Sequence, residues 1–103
     1  MKISLTARHF ELTEAIKTYV NNKLTYLAEH IHNIIEANII LEVEKNSKII
    51  DNQIIEIHIH APKVSVEDVH CKVSSPDLYK SIDEAIDKTL KILQKEKDKA
   101  LKS

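Results

Sequence analysis

No glycine occurs among the 103 residues of this chain, and its absence limits what the chain can form. Glycine allows a positive φ angle and lets the backbone approach a ligand closely. Phosphate-cradling loops, dinucleotide-binding fingerprints and the glycine-rich clamp of some RNA-binding modules depend on these properties. The sequence therefore excludes all three in their standard form. It predicts turns built from other residues, such as Asn46 and Ser47 in the segment KNSK.

Four segments alternate apolar and polar residues, as half-buried strands do. They are KISLTAR (residues 2–8), NIILEVEK (38–45), QIIEIHIH (53–60) and VHCKVS (69–74). Two other segments repeat apolar residues every three or four positions, which predicts amphipathic helices. The first runs from about residue 14 to residue 29 or slightly beyond, with Thr13 as its N-cap. The second spans about residues 76–101, with Ser75 as its cap and Pro76 at its first position.

The order β-α-β-β-β-α predicts an α+β fold, with a four-stranded sheet and two helices packed on one face. The predicted core draws on both helices and three strands: Ile16, Val20, Leu27, Leu41, Ile57, Cys71, Ile82, Ile86 and Leu93. The other sheet face is predicted to be open and to carry mainly polar side chains: Asn38, Ile40, Glu42, His58, His60, His70 and Lys72.

The length predicts a single domain covering residues 1–103. Cys71 is the one cysteine, so an internal disulfide is excluded and a reducing compartment is expected. The first segment, MKISLTARHF, lacks the apolar core of a signal peptide. No apolar run approaches the ~20 residues that cross a bilayer. We therefore expect a soluble, cytoplasmic protein with no membrane partner.

The second predicted helix carries a ridge of lysines. At roughly 100° per residue, five of them fall within an arc of about 80°, opposite the apolar side that includes Tyr79. These five, here called the lysine ridge, are Lys88, Lys91, Lys95, Lys99 and Lys102. Lys97 lies off the ridge. From residue 88 onward six lysines oppose two carboxylates, a balance of +4, whereas residues 1–87 carry −5. The net charge of −1 thus hides a polarised molecule, which favours an anionic partner, although lysines also serve solubility.

Aromatic residues restrict the kind of nucleic-acid contact that the chain can make. The four of them, Phe10, Tyr19, Tyr26 and Tyr79, all lie outside the predicted strands. A sheet that stacks bases on exposed aromatic rings is therefore not expected. A nucleic-acid partner would be recognised through its backbone and shape.

Other functions have weaker support. His58, His60 and His70 share the open sheet face, and three histidines can bind zinc, so a metal-binding enzyme is one alternative. Cys71 alternates with core valines and reads as a buried apolar residue, not as a nucleophile. No acid–base pair stands out. A protein-interaction module that uses the open sheet face is the other alternative. We expect no enzyme activity, no cofactor, no metal and no small-molecule substrate.

Two segments resemble a known family. ARHFELTEAIKTYVNNKL and SSPDLYKSIDEAIDKTLKILQKEKDK are similar to the signature helices of the ribosome hibernation promoting factor and ribosome-associated inhibitor family, also called the sigma-54 modulation protein family. The most specific match is Asp77-Leu78-Tyr79, followed by Ile82-Asp83 and Asp87-Lys88. IILEVEK also fits, and the resemblance covers essentially the whole chain.

The resemblance implies a fold similar to a double-stranded-RNA-binding domain and a partner, the small ribosomal subunit. Family members bind between its head and body, in the channel for messenger RNA and the A- and P-site tRNAs, and inhibit translation in idle ribosomes of stressed or stationary-phase cells. The chain would then be a translation inhibitor that acts by occlusion and is a monomer off the ribosome. The rRNA-binding positions implied by the resemblance are Arg8, His9, Lys17, Lys23, Lys88, Lys91, Lys95, Lys97 and Lys99.

The chain departs from the family pattern in three respects. The loop between the third and fourth strands, APKVSVED, lacks the usual glycine, and the second helix has only lysines where the family mixes arginine and lysine. Lysine keeps the charge but loses the bidentate geometry with phosphate. The chain also lacks the dimerisation domain of the long family form, so it resembles the short form, either complete or truncated. Whether binding leads to ribosome dimers or to inactive single ribosomes stays open.

Overall fold

A four-stranded mixed sheet and two helices make up the computed structural model, which describes residues 1–45 and 50–102, without the side chains of 100–102. The elements are β1 (Lys2–Arg8), α1 (Glu14–His30), β2 (Glu36–Val43), β3 (Gln53–His60), β4 (Val69–Ser75) and α2 (Leu78–Lys102). The sheet order is β1-β2-β3-β4. The β1–β2 pair is parallel because the chain crosses over through α1, and the other two pairs are antiparallel. The predicted α+β class and element order are confirmed.

The start of α2 differs from the prediction. Ser75 is the last residue of β4, and the helix begins at Leu78 instead of Pro76. Asp77 is the N-cap: its Oδ1 accepts a hydrogen bond of 3.1 Å from the Tyr79 backbone N–H, and its carbonyl accepts one of 3.0 Å from Ser81. A carboxylate caps a helix as well as a serine does, and its charge favours the N-terminus. At α1 the predicted cap is confirmed, since Thr13 Oγ1 accepts from the Ile16 N–H at 3.2 Å.

The buried hydroxyl of Ser75 has another role. Its Oγ lies 2.6 Å from Ser81 Oγ, and Ser81 Oγ lies 2.7 Å from the carbonyl oxygen of Gln53 on β3, to which it donates. Both serines are buried. The pair thus ties the first turn of α2 to two strands, which satisfies polar groups that would otherwise be costly to bury.

One continuous apolar cluster lies between the sheet and the helices. Of the nine predicted core residues, eight are buried, and Ile16 is half-buried against the cluster. Tyr79 was predicted on the apolar side of α2, but its side chain is exposed at the flank toward α1. Ile3 is also exposed, because β1 is the edge strand and α2 packs over the opposite half of the sheet, on β3 and β4.

Turns without glycine are made in two ways. His9 (φ 67°) and Asn33 (φ 71°) adopt the left-handed conformation, and histidine and asparagine are among the non-glycine residues that tolerate it best. The loop between β3 and β4 needs no positive φ angle. There the N–H groups of Val64 and Ser65 both donate to the Ala61 carbonyl at 2.9 Å, forming a helical turn. The predicted turn at Asn46 and Ser47 lies outside the described residues.

Neither helix of the described part of the chain combines the length and the apolar character that crossing a membrane requires.

The packing of α2 generates a stability prediction. Ile86 is 2% exposed, so Ile86→Ala should lower the free energy of unfolding by about 2–5 kcal/mol through lost burial and a residual cavity. Ile92→Ala is the matched control, because Ile92 is 38% exposed on the same helix and its truncation should cost below about 1 kcal/mol. Urea unfolding of both variants measures the difference. Equal losses would mean that the buried side of α2 is assigned incorrectly.

Candidate nucleic-acid interface

The lysine ridge lies on the solvent side of α2. Its members with described side chains, Lys88, Lys91, Lys95 and Lys99, are all exposed, while Ile82, Ile86 and Leu93 are buried beneath the helix. The exposure predicted from the helical spacing of these lysines is therefore observed, because burial of the apolar side of α2 places the lysines in solvent. Lys102 lies outside the described side chains.

Three ridge lysines have no acidic partner among the described residues. Within residues 1–45 and 50–99, no carboxylate oxygen lies within 4.0 Å of the ammonium groups of Lys88, Lys91 or Lys95. Lys99 is the exception, since its Nζ lies 3.5 Å from Glu96 Oε1 one turn before it. The ridge thus presents three ammonium groups whose charge no described neighbour compensates directly.

Lys97 is exposed on a different side of α2. It lines a shallow depression together with Gln94, Asp98 and His30, the last residue of α1. This placement confirms that Lys97 is off the ridge. It also shows that the C-terminal part of α2 lies beside the end of α1, so that the two helices run in roughly the same direction.

A polar cluster joins the middle of α1 to the first turns of α2. Tyr19 Oη donates to Asp83 Oδ1 at 2.5 Å, and Lys23 Nζ lies 3.1 Å from the same oxygen. The Tyr19 ring also meets the Tyr79 ring edge to face at 4.8 Å between centroids, and Lys23 Nζ lies 5.5 Å from the Tyr19 centroid. We call Tyr19, Lys23 and Asp83 the interhelix cluster.

The interhelix cluster changes the ionisation of two of its members. The hydrogen bond to Asp83 raises the pKa of Tyr19, and burial and the Asp83 charge act in the same direction. The hydrogen bond to Asp83 also raises the pKa of Lys23, against the opposing effect of burial. Both groups therefore hold their protons more tightly in the folded protein than in the unfolded one.

The cluster separates the lysines of α1 from the lysine ridge. Lys23 is engaged by Asp83, and Lys17 Nζ lies 3.3 Å from Glu14 Oε1 on its own helix. On a helical wheel at roughly 100° per residue, Asp83 and Asp87 lie on the flank of α2 between α1 and the ridge. The lysines of α1 are thus partly compensated, whereas Lys88, Lys91 and Lys95 of the ridge have no described carboxylate within 4.0 Å.

Arg8 and His9 lie apart from the helical lysines. Arg8 ends β1 and pairs in register with Glu42, so it belongs to the rows that face away from the helices. His9 Nε2 lies 3.9 Å from Glu42 Oε1, and the left-handed backbone of His9 turns the chain toward α1. The nine predicted rRNA-binding residues therefore fall on three areas: the strand end, the partly paired side of α1, and the exposed sides of α2.

The open sheet face corrects one alternative. His58 and His70 are register partners with rings stacked at 4.3 Å between centroids, but His60 does not join them. His60 Nδ1 instead lies 2.7 Å from Asp68 Oδ1 in the loop before β4. The third member is Glu56, whose Oε2 lies 3.6 Å from Nε2 of both His58 and His70. The predicted grouping of His60 with His58 and His70 is therefore not observed, and Glu56 takes the third place.

Comparisons with known proteins agree on one family. The model of the family described as Sigma 54 modulation protein / S30EA ribosomal protein matches residues 3–101. The ribosome hibernation promoting factor of Salmonella typhimurium is 29% identical over 99 residues, covering 96% of each chain. That of Azotobacter vinelandii is 30% identical over 101 residues, covering 98% of this chain and 87% of the relative. The names of these relatives describe ribosome-associated factors and no enzymatic reaction.

Solved structures share the fold. A ribosomal subunit interface protein from Coxiella burnetii superposes with a TM-score of 0.81 at 21% identity, covering 95% of this chain and 99% of the other. The N-terminal domain of Protein Y from Thermus thermophilus gives a TM-score of 0.75 at 27% identity, covering 92% and 98%.

The interhelix cluster generates a pH prediction. Because the pKa values of Tyr19 and Lys23 are raised on folding, their stabilisation is complete below the ordinary values of 10.0 and 10.5 and is lost as the pH rises through the raised values. Asp83→Asn removes the carboxylate that raises both, so the decline in stability above about pH 10 should become shallower. Asp98→Asn, an exposed change on the same helix, is the control and should keep the wild-type pH profile. Urea unfolding between about pH 8 and about pH 11 measures the stability of wild type and both variants. Parallel pH profiles for the three proteins would contradict the role given to Asp83.

Proposed function

The chain belongs to the Sigma 54 modulation protein / S30EA ribosomal protein family, and from this membership we propose that it is a cytoplasmic ribosome hibernation factor. Its partner is the small ribosomal subunit. It binds rRNA in the channel used by messenger RNA and the A- and P-site tRNAs, and it inhibits translation by occluding that channel.

The observation that supports this proposal most directly is the group of three ridge lysines without a described acidic partner. Lys88, Lys91 and Lys95 are exposed, lie on one side of a helix, and have no described carboxylate within 4.0 Å. Ammonium groups in this arrangement can contact successive phosphates along a nucleic-acid backbone. Each contact releases condensed counterions, which is the main source of sequence-independent affinity for nucleic acids.

The other basic residues have secondary roles in this proposal. Lys97 and Lys99 extend the cationic surface toward the end of α2, beyond Leu93, the last buried residue among the described side chains of that helix. Lys17 and Lys23 lie beside carboxylates, Glu14 and Asp83. To bind a phosphate, each lysine must either leave its carboxylate or contact both groups at once. Arg8 and His9, at the strand end, would contact a separate segment of rRNA.

Occlusion requires shape and rigidity and no chemistry. The sheet, both helices and the serine and interhelix contacts hold the cationic side of α2 in a fixed orientation. A compact wedge of this kind excludes tRNA and messenger RNA sterically once it is seated. The proposal includes no cofactor and no small-molecule substrate, and the chain acts as a monomer off the ribosome.

The ridge generates the first test of this proposal. Lys88→Ala, Lys91→Ala and Lys95→Ala should each weaken binding to small subunits and lower the slope of log affinity against log salt by about 1, because one phosphate contact is lost. Their folding stability should stay within about 0.5 kcal/mol of wild type, since the side chains are exposed. Co-sedimentation across a salt series measures both affinity and slope.

Lys63→Ala is the matched control. Lys63 is exposed in the loop between β3 and β4, and its substitution removes the same charge as each ridge variant. It should leave affinity and salt slope nearly unchanged. If Lys63→Ala weakens binding as much as the ridge variants, the attraction is diffuse. If the ridge variants bind as wild type does, the lysines serve solubility and the proposed contact surface is wrong.

Occlusion generates a second test. When A- and P-site tRNAs are each present at about ten times their own Kd, the apparent Kd for the protein should rise roughly 100-fold, because either tRNA alone excludes the protein and the two factors of about ten multiply. The measurement is binding of labelled protein to small subunits with and without tRNA, with isolated large subunits as the negative control. Binding that is equally tight with both tRNA sites filled would place the site outside the channel.

A further inference from the structure

Three side chains converge on the open sheet face, on the side of the sheet opposite the helices. Glu56 and His58 project from β3 two residues apart, and His70 projects from β4 directly opposite His58 in the antiparallel register. The strands are paired on both sides of β3, so the backbone positions of these residues are fixed by ladder hydrogen bonds. None of the three is needed for the proposed rRNA contact.

The distances between the side-chain atoms are those of a ligand set. One nitrogen from each imidazole and one carboxylate oxygen lie within 4.8 Å of one another. Glu56 Oε2 lies 3.6 Å from Nε2 of His58 and 3.6 Å from Nε2 of His70. In a tetrahedral zinc site with bonds of about 2.0–2.2 Å, neighbouring ligand atoms are roughly 3.3–3.6 Å apart. The two glutamate–histidine distances lie at the upper end of this range, and the two imidazole nitrogens, within 4.8 Å of each other, would approach by side-chain rotation to share one ion.

From this geometry we propose that Glu56, His58 and His70 form a binding site for a borderline divalent metal ion of the Zn²⁺ class. Two imidazole nitrogens and one carboxylate oxygen are a donor set that favours Zn²⁺ and its neighbours over Mg²⁺ or Ca²⁺, which prefer oxygen donors alone. The side chains of the two histidines are about half exposed, so an ion can reach the site from solvent and keep water on its remaining positions.

The positive charge of Lys72 opposes the binding of a cation at this site. Its Nζ lies 3.7 Å from Glu56 Oε1, the oxygen that does not face the histidines. Without metal, the ammonium group and the two imidazoles surround the Glu56 carboxylate. Burial alone would raise the pKa of Glu56, but Lys72, His70 and His58 together lower it. A bound ion would replace this arrangement on Oε2 and leave Lys72 on Oε1.

The test uses the whole chain and Zn²⁺ alone. Calorimetric titration should give one ion per chain, and the imidazole nitrogen resonances of His58 and His70 should shift while that of His60 stays in place. Replacement of a ligand, by His58→Gln, His70→Gln or Glu56→Gln, should weaken binding by about tenfold or more, since even outer-shell changes cost 10–100-fold. Lys72→Met should tighten binding several-fold, because it removes a repelling charge and frees Oε1.

His60→Gln is the matched control. It removes an exposed histidine from the same strand and the same face, but one that contacts Asp68 and not Glu56. It should leave the affinity for Zn²⁺ within about twofold of wild type, well short of the loss expected for a ligand. No binding by wild type would overturn the proposal, as would equal losses in His60→Gln and His70→Gln, which would indicate unspecific histidine binding. Circular dichroism of each variant verifies that the fold is retained.

Discussion

The packing of α2 on the sheet fixes the orientation of the lysine ridge, on which the proposed function chiefly rests. Ile82, Ile86 and Leu93 are fully or almost fully buried on one side of the helix, and burying each such side chain contributes about 1.5–3 kcal/mol. A slip of one residue would rotate the helix by roughly 100° and bring lysines toward the apolar strands. Because burying an unpaired ammonium group costs far more than it returns, the apolar side sets the phase of the helix and the ridge follows.

The acidic residues divide the lysines into two classes. Lys23 meets Asp83 and Tyr19 where α1 packs on α2, so its charge contributes to the contact between the helices. Lys88, Lys91 and Lys95 lie farther along α2, where no described carboxylate approaches them. A count of charges along the sequence treats all these lysines alike. The distinction arises only when the helices are placed side by side and Asp83 is seen to face α1.

The sequence predicted the elements well because its periodicities are strong, and it failed where long-range pairing decides. Alternation located β1 and β3 at their observed bounds, since a strand with one buried face must alternate. It could not show that Tyr79 turns out of the core to meet Tyr19, nor that Ser75 bonds to Ser81 while Asp77 caps the helix. Thr89 is also buried: it lies three residues after Ile86 and four before Leu93, so helical spacing places it on the buried side, but a search for apolar residues alone passes over it.

The histidines show most clearly what register adds to alternation. Alternation placed His58 and His60 on one face, and the simplest reading joined them with His70. The register of β3 with β4 instead sets His58 directly opposite His70 and moves His60 toward the loop that contains Asp68. Glu56 takes the place of His60 in the cluster, because its long side chain can reach His70, its diagonal neighbour on the adjacent strand. The only sign of this contact in the sequence is that Glu56 lies two residues before His58 and therefore on the same face of the strand.

The arrangement of layers keeps the two proposed surfaces apart. Both helices cover the same side of the sheet, so the ridge and the histidine–glutamate set point away from each other, with the apolar cluster between them. A polyanion bound along α2 would leave the open sheet face accessible, and an ion held by Glu56, His58 and His70 would not touch the phosphate-binding lysines. The sheet thus gives one small chain two surfaces whose chemistry can change independently.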